Sequence, residues 1–366
     1  MDPVRKTPFV IIASQVVVGL FIFFWILYIG RDIILPIVYA AVLAVLLNPL
    51  VNRLTRHRVS RVLAIFIAVI VLLLLIGGLI YFVVNQSMQF GDTLVTLQKK
   101  INILLQDVSA WAARTFKVSR TKVDSWVVDT EKKQLNESAA IVGQTLVTMT
   151  NILKLFLLIP VYVFMFLFYK PLLLDFISRL FRRENHEMVS EVLFETKTLI
   201  QSYLVGLLLE AAIVATLNAT GLLLLGIDYA VLLAIIGALL NIIPYIGGII
   251  AVALPVLIAY TSKSPAYVVW VLILYAVVQF IDNHYIVPKI VASKVRINAL
   301  VSIVVVFIGG AIWGVAGMFL SIPLTAIVKV IFDRITPLKP WGSLLGDTMP
   351  PIGKTIFKTP PKVTKK

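Results

Sequence analysis

The sequence has no cysteine and only three histidines, His57, His186 and His284. The missing cysteine excludes disulfides, thiolate nucleophiles, Cys-ligated zinc and iron–sulfur clusters. The scattered histidines leave little for a histidine metal site. Charge is scarce as well: Asp, Glu, Lys and Arg make up 14% of the chain, against about 25% in an ordinary soluble domain. Catalytic signatures are absent too. There is no H-E-x-x-H, no G-x-S-x-G and no paired catalytic Asp. Gly353-Lys354-Thr355 fails as a phosphate loop, because Gly346 stands two positions too early for G-x-x-x-x-G-K-T and no strand precedes it. The chain is not read as an enzyme, and no cofactor is expected.

What is present is apolar surface. Hydrophobic residues make up 60% of the 366 residues, with a mean hydropathy of +0.99. A water-soluble globule could not hide that much. Stretches free, or nearly free, of charged residues cover 7–30, 33–52, 62–91, 155–169, 229–262, 264–281 and 297–328. Residues 143–169 carry only Lys154, and 198–227 only Glu210. A helix needs about 20 apolar residues to cross a bilayer. A barrel would instead show alternation in segments of about 10 residues. The chain therefore reads as an all-α polytopic membrane protein. The first run ends in Trp25-Ile26-Leu27-Tyr28 without a small-x-small cleavage site, so it is read as a retained helix.

Basic residues orient the chain. The segment 53–61 holds Arg53, Arg56, Arg58 and Arg61 and no acid, which assigns it to the cytoplasm. Both termini follow it there. Residues 86–142 carry eight Lys/Arg and six Asp/Glu, with Leu94, Leu97, Ile101, Leu104, Val108 and Trp111 at helical spacing. They are expected to form an extracytoplasmic helical insertion between the membrane helices of 1–85 and those of 143–200. Residues 170–197, balanced at five and five, are expected to form a helix on the cytoplasmic surface. The tail 333–366 is Pro-rich and basic. It lacks interleaved aromatics apart from Trp341 and Phe357, so it suits anionic lipid rather than nucleic acid.

Two runs, 229–260 and 297–328, are each interrupted near the middle. The first holds Asn241, Pro244, Tyr245, Gly247 and Gly248, then Pro255. The second holds Gly309, Gly310, Gly314 and Gly317, then Pro323. Each would measure about 48 Å as one helix, more than a single pass needs. Two re-entrant hairpins entering from opposite faces leave Lys289, Lys294 and Arg296 cytoplasmic, as the positive-inside rule asks. Five or six full spans then accompany the hairpins; eight straight spans are the alternative. Broken helices in matched positions of 201–332 point to a transporter's binding site.

These residues carry a resemblance. Asn241-x-x-Pro244-Tyr245-x-Gly247-Gly248, Gln279-Phe-Ile-Asp282-Asn283-His-Tyr-Ile-Val-Pro288-Lys289 and Gly309-Gly310-x3-Gly314-x2-Gly317-x5-Pro323-Leu324 resemble the signatures of the autoinducer-2 exporter family of bacterial membrane proteins. The layout matches over nearly the whole chain, most specifically over roughly 200–330. The resemblance implies a bacterial inner-membrane permease, homo-oligomeric, that moves a small polar solute such as autoinducer-2. Other members are described as sodium/proton antiporters. This chain departs from many relatives at Gly206-Leu207, where Gly-Gln is common, at Gly247-Gly248, where Gly-Pro is common, and at Asp282, where Glu is common.

The candidate pathway residues follow. Burying a carboxylate in a bilayer costs at least about 2.5–3.5 kcal/mol, so Asp282 and Glu210 should face a cavity or a partner. Either could bind Na⁺ or carry H⁺ as coupling ion. Reaching the headgroups or pairing with Lys289 is the other role open to Asp282; pairing with Lys154 or fixing a subunit contact is the other role open to Glu210. Gln279 and Asn283 group polar atoms beside Asp282. Asn241, Pro244, Tyr245, Gly247 and Gly248 would form the first hairpin tip, freeing backbone groups for a ligand. Gly309, Gly310, Gly314 and Gly317 would form the second, with Pro323 after them, although Gly310, Gly314 and Gly317 also fit a helix-packing face. Export of a solute, cation antiport and a non-transporting scaffold remain the three functional classes.

Overall fold

The structure is a computed structural model that describes residues 9–89, 157–292 and 295–348. The insertion expected at 86–142 falls almost entirely outside the described residues, as do Lys154 and the tail from 349 onward. Helices account for nearly all of the remainder: α1 Phe9–Ile29, α2 Arg31–Arg56, α3 Arg61–Gln89, α4 Leu157–Leu180, α5 His186–Leu224, α6 Ala230–Asn241, α7 Gly247–Ser262, α8 Pro265–Ile281, α9 Ala299–Arg334 and α10 Lys339–Leu345. The chain is an all-α polytopic membrane protein. Among the described residues seven helical stretches are long and apolar enough, by length and composition, to cross a membrane: α1 to α5, α8 with its continuation to Val291, and α9, which is broken at Gly314.

Residues 170–197 do not form a helix of their own. Their first part ends α4. Residues 186–197 are the opening turns of α5, which runs unbroken for 39 residues, about 58 Å. No proline interrupts 186–224, and charge alone does not end a helix.

Neither interrupted run is one straight helix. The first divides into α6, 12 residues, and α7, 16 residues. Both of its ends lie together, because Lys263 after α7 reaches the Gly226 turn before α6: its Nζ is 3.6 Å from where a Cβ on Gly226 would stand. The second run, α9, is broken at Gly314 (φ 63°, ψ −146°). A Cβ on Gly309 would lie 2.5 Å from the Gly317 carbonyl oxygen. Eight residues along one helix would separate them by about 12 Å. The chain therefore folds back at Gly314 into two antiparallel arms, 299–313 and 315–334.

Hydrogen bonds fix which elements share an end of the bundle. Gln201 Nε2 donates to the Val45 carbonyl (2.7 Å), an Arg61 guanidinium N–H to the Leu167 carbonyl (2.8 Å), and Lys170 Nζ to Asn48 Oδ1 (3.0 Å). Arg334 donates to both Glu191 and Glu195. The basic loop after α2, the α4–α5 turn and the end of α9 thus gather at one end. The loop before α6 and the end of α7 lie at the other. The two hairpins enter the bundle from opposite ends.

The core is layered by small residues. Ala40 and Ala44 of α2 pack on Ala64, Ile65 and Ala68 of α3 and on Val163 of α4. Ala230 and Leu233 of α6, Ala251 and Ile258 of α7 and Val271 of α8 form a second cluster. Without a hydrophobic gain between helices in lipid, such close backbone approach is what packs them. Outward-facing Leu, Ile, Val and Phe cover the helices, and no residue of the apolar stretch of α1 is buried.

Candidate functional site

Three elements converge inside the bundle: α5, the α6–α7 turn and α8. Proximity begins with glycine. A Cβ on Gly247 would lie 1.8 Å from the Leu240 carbonyl oxygen, so only glycine lets α7 fold back so tightly on α6. The turn between them holds Tyr245 at φ 65°, a left-handed conformation that costs a bulky residue energy and marks functional sites when it persists. On the other side Gly206 of α5 lets the backbone after α8 come close: its Cβ would lie 2.8 Å from the Ile290 carbonyl. That segment, Asp282–Ala292, is wound as a π-helix around Pro288. Pro288 has no N–H to give, and such wide turns recur at functional sites.

Asn241, the last residue of α6, sits between two acids. Its Nδ2 donates to Asp282 Oδ2 at 2.9 Å and to Glu210 Oε1 at 3.4 Å. Gln279 Nε2 reaches Asp282 Oδ2 at 3.5 Å and Asn283 Oδ1 at 3.3 Å. Gly248 makes room for this: a Cβ there would stand 2.4 Å from Gln279 Oε1 and 3.2 Å from Asn241 Oδ1. Asp282 is 2% exposed and Glu210 6%. Among the described residues neither carboxylate has a Lys, Arg or His partner. Asp282 Oδ1 and the Tyr275 hydroxyl are buried with no hydrogen-bond partner there. Two acids thus share one neutral amide, with lone pairs left over that a cation or proton would satisfy.

These groups border a cavity of about 780 Å³. Of the residues read from the sequence, Glu210, Asn241, Pro244, Tyr245, Gly248, Gln279, Asp282 and Asn283 are on its wall. Gly247 is not; it serves the turn. Gly309, Gly310, Gly314 and Pro323 are not on it either. Gly309 and Gly317 press the arms of α9 together, Gly310 packs on Met318, Gly314 supplies the reversal and Pro323 is buried in the second arm. Those glycines build the second hairpin. Gln201 and Asn218, each more than two turns from Glu210 along α5, are off the wall too.

The structure adds wall residues that the sequence reading missed: Tyr203 of α5, Tyr275 of α8, Arg296 just before α9 and Ser302 in its first turn; Leu207, where many relatives carry Gln, is on the wall as well. Tyr275 had a signal, because 275, 279 and 282 recur at i, i+4 and i+7 on one helix face. Arg296 had none. Its position, like its φ of 47°, depends on how α10 holds this corner. Asn298 donates through Nδ2 to the Leu344 and Gly346 carbonyls (2.7 and 3.0 Å), while its Oδ1 caps α9 at Val301 N. Ile297 also pairs with Gly346 as an antiparallel bridge.

Comparison with known proteins places this arrangement. A sequence profile described as the AI-2E family transporter matches residues 16–336. YueF of Bacillus subtilis, provisionally named a transport protein, is 26% identical over 83% of this chain and 84% of its own. PerM of Escherichia coli, provisionally named a permease, is 27% identical over 84% of this chain and 89% of its own. TqsA of Escherichia coli, named an AI-2 transport protein, is 25% identical over 87% of this chain and 90% of its own. With a profile spanning all but the ends, and a cavity set among broken helices, this chain belongs to the AI-2E transporter family and is a multi-pass membrane protein of transport.

Proposed function

We propose that this chain is a secondary transporter of the bacterial inner membrane that exports a small polar solute, autoinducer-2 or one like it. In this reading the Glu210–Asn241–Asp282 cluster couples export to H⁺ or Na⁺. The observation that carries it is the cavity itself. At about 780 Å³ it falls within the roughly 300–1,000 Å³ of small-molecule sites and far exceeds what one monovalent cation occupies. Its wall mixes Tyr, Asn and Gln groups with apolar surface, which suits a polar organic molecule. Positive-inside bias puts the end carrying Arg53 to Arg61 and both termini in the cytoplasm. The hairpins are then re-entrant from opposite faces.

Cation antiport is the second reading, favoured by two buried acids that share one amide and have no cationic partner among the described residues. A scaffold is disfavoured, because strained mid-depth backbone such as that at Tyr245 serves nothing there. Purified protein in proteoliposomes separates the three. Counterflow of labelled autoinducer-2, dissipated when the pH or Na⁺ gradient collapses and lost in Asp282→Asn, supports coupled export. Na⁺-driven proton movement without solute, lost in Asp282→Asn or Glu210→Gln, replaces it with antiport. Neither flux, in protein of unchanged melting temperature, sinks both.

A further inference from the structure

A second cavity, about 700 Å³, lies away from the pathway, between the end of α2 and α5. One stripe of α2 lines it: Leu46, Leu50, Arg53 and His57 follow at i, i+4, i+7 and i+11, with Arg56 beside them and Val205 of α5 opposite. The stripe is apolar toward mid-depth and cationic toward the basic end, over about 16 Å of helix axis. Residues 46–61 contain no acid. Among the described residues Arg53 and Arg56 make no ion pair. The C-terminal end of α2 carries only about half a negative charge, so two guanidiniums leave the corner strongly positive.

We propose that this cavity binds one anionic phospholipid, its phosphate on Arg53 and Arg56 and an acyl chain along Leu46, Leu50 and Val205. Guanidinium forks suit phosphate oxygens. Basic pockets between helices at the membrane surface are where acidic headgroups seat. The apolar half of the stripe selects a lipid over free phosphate, because a soluble anion gains nothing from Leu46 and Leu50.

Native mass spectrometry of the full chain, delipidated and given equal phosphatidylglycerol and phosphatidylcholine of the same chains, tests this. Phosphatidylglycerol should be retained preferentially, and the preference should fall about fivefold for each guanidinium removed in R53A and R56A. R53K/R56K should keep much of it. Leu50→Trp, which fills the apolar groove without touching charge, should displace the lipid. Equal retention of the two lipids, or an unchanged preference in R53A/R56A, overturns the proposal. So does complete displacement by millimolar inorganic phosphate, which would make this a free-anion site. A change in subunit number rather than lipid count, read in the same spectra, would make the face a subunit contact and overturn it equally.

Discussion

Adjacent glycines at the first hairpin should respond to alanine in opposite ways. In Gly247→Ala the new Cβ meets main chain: the Leu240 carbonyl oxygen at 1.8 Å, its carbon at 2.6 Å and Asn241 Cα at 2.9 Å. Real Cβ contacts do not fall below 3.0 Å, so α6 and α7 must part by 1.2 Å at their turn. If that displacement falls on Asn241, its 2.9 Å bond to Asp282 stretches to about 4 Å, past hydrogen-bond range. Overpacking and the loss of a charge-assisted bond together cost roughly 3–6 kcal/mol, a fall of at least about 5 °C in melting temperature. In Gly248→Ala the new Cβ meets the end of a flexible side chain, Gln279 Oε1, which rotates away. Stability should hold within about 1 kcal/mol, while transport falls because Gln279 leaves Asp282. Thermal melting in detergent and solute counterflow in proteoliposomes read the two separately. A Gly247→Ala protein that melts and transports like the wild type, or two variants that behave alike, would refute the tight turn.

Asn241→Leu keeps the bulk but removes the shared donor. The two acids then lose their bridge, and destabilisation of about 1–3 kcal/mol per carboxylate left unpaired should appear in the same melting assay. Gly206→Leu drives a side chain into the Ile290 carbonyl, 2.8 Å from the Cβ position. It should separate α5 from the π-helical segment and abolish transport, measured by counterflow. Ile297→Cys with Gly346→Cys places the only two thiols of the chain across an antiparallel bridge. Mild oxidation should cross-link them, and adding Asn298→Ala, which removes the side-chain bonds holding α10, should reduce the yield severalfold on a diagonal gel.

The membrane character and both helix interruptions were legible because they depend on composition: no charge over some 30 residues, then proline and glycine. The partnership of Glu210, Asn241 and Asp282 was half legible. Each polar group stood out in an apolar run, but 72 residues of chain separate the first from the last, and only the α6–α7 reversal brings them together. The α9 glycines left two roles open for a physical reason. A glycine that lets two helix arms touch and one that opens backbone to a ligand look the same in sequence; the close approach of Gly309 and Gly317 shows the first role. Residues 170–197 misled because their charges were read as a boundary, whereas nothing between 186 and 224 breaks a helix.

The two hairpins are not equivalent, and the difference bears on coupling. The second is tied near its reversal by neutral bonds away from the cavity wall: Trp313 Nε1 donates to the Leu27 carbonyl at 2.9 Å, and the Tyr39 hydroxyl to the Ala316 carbonyl at 3.2 Å. Tyr39 also stacks on Phe319. Asn298 and Arg334 anchor its two ends. At the tip of the first, Asn241 ties the turn to Glu210 and Asp282. Those bonds are strong only while the carboxylates are charged. A proton or cation taken by Asp282 on its free Oδ1 lowers the charge of the carboxylate, so the bond that Asn241 Nδ2 makes to Oδ2 loses its charge assistance and the tip loosens. Under the proposed function, the ion that discharges the acids also releases the hairpin that borders the cavity, while the second hairpin stays fixed. Coupling then requires no signal between distant sites, because the ion site and the tether are the same three side chains.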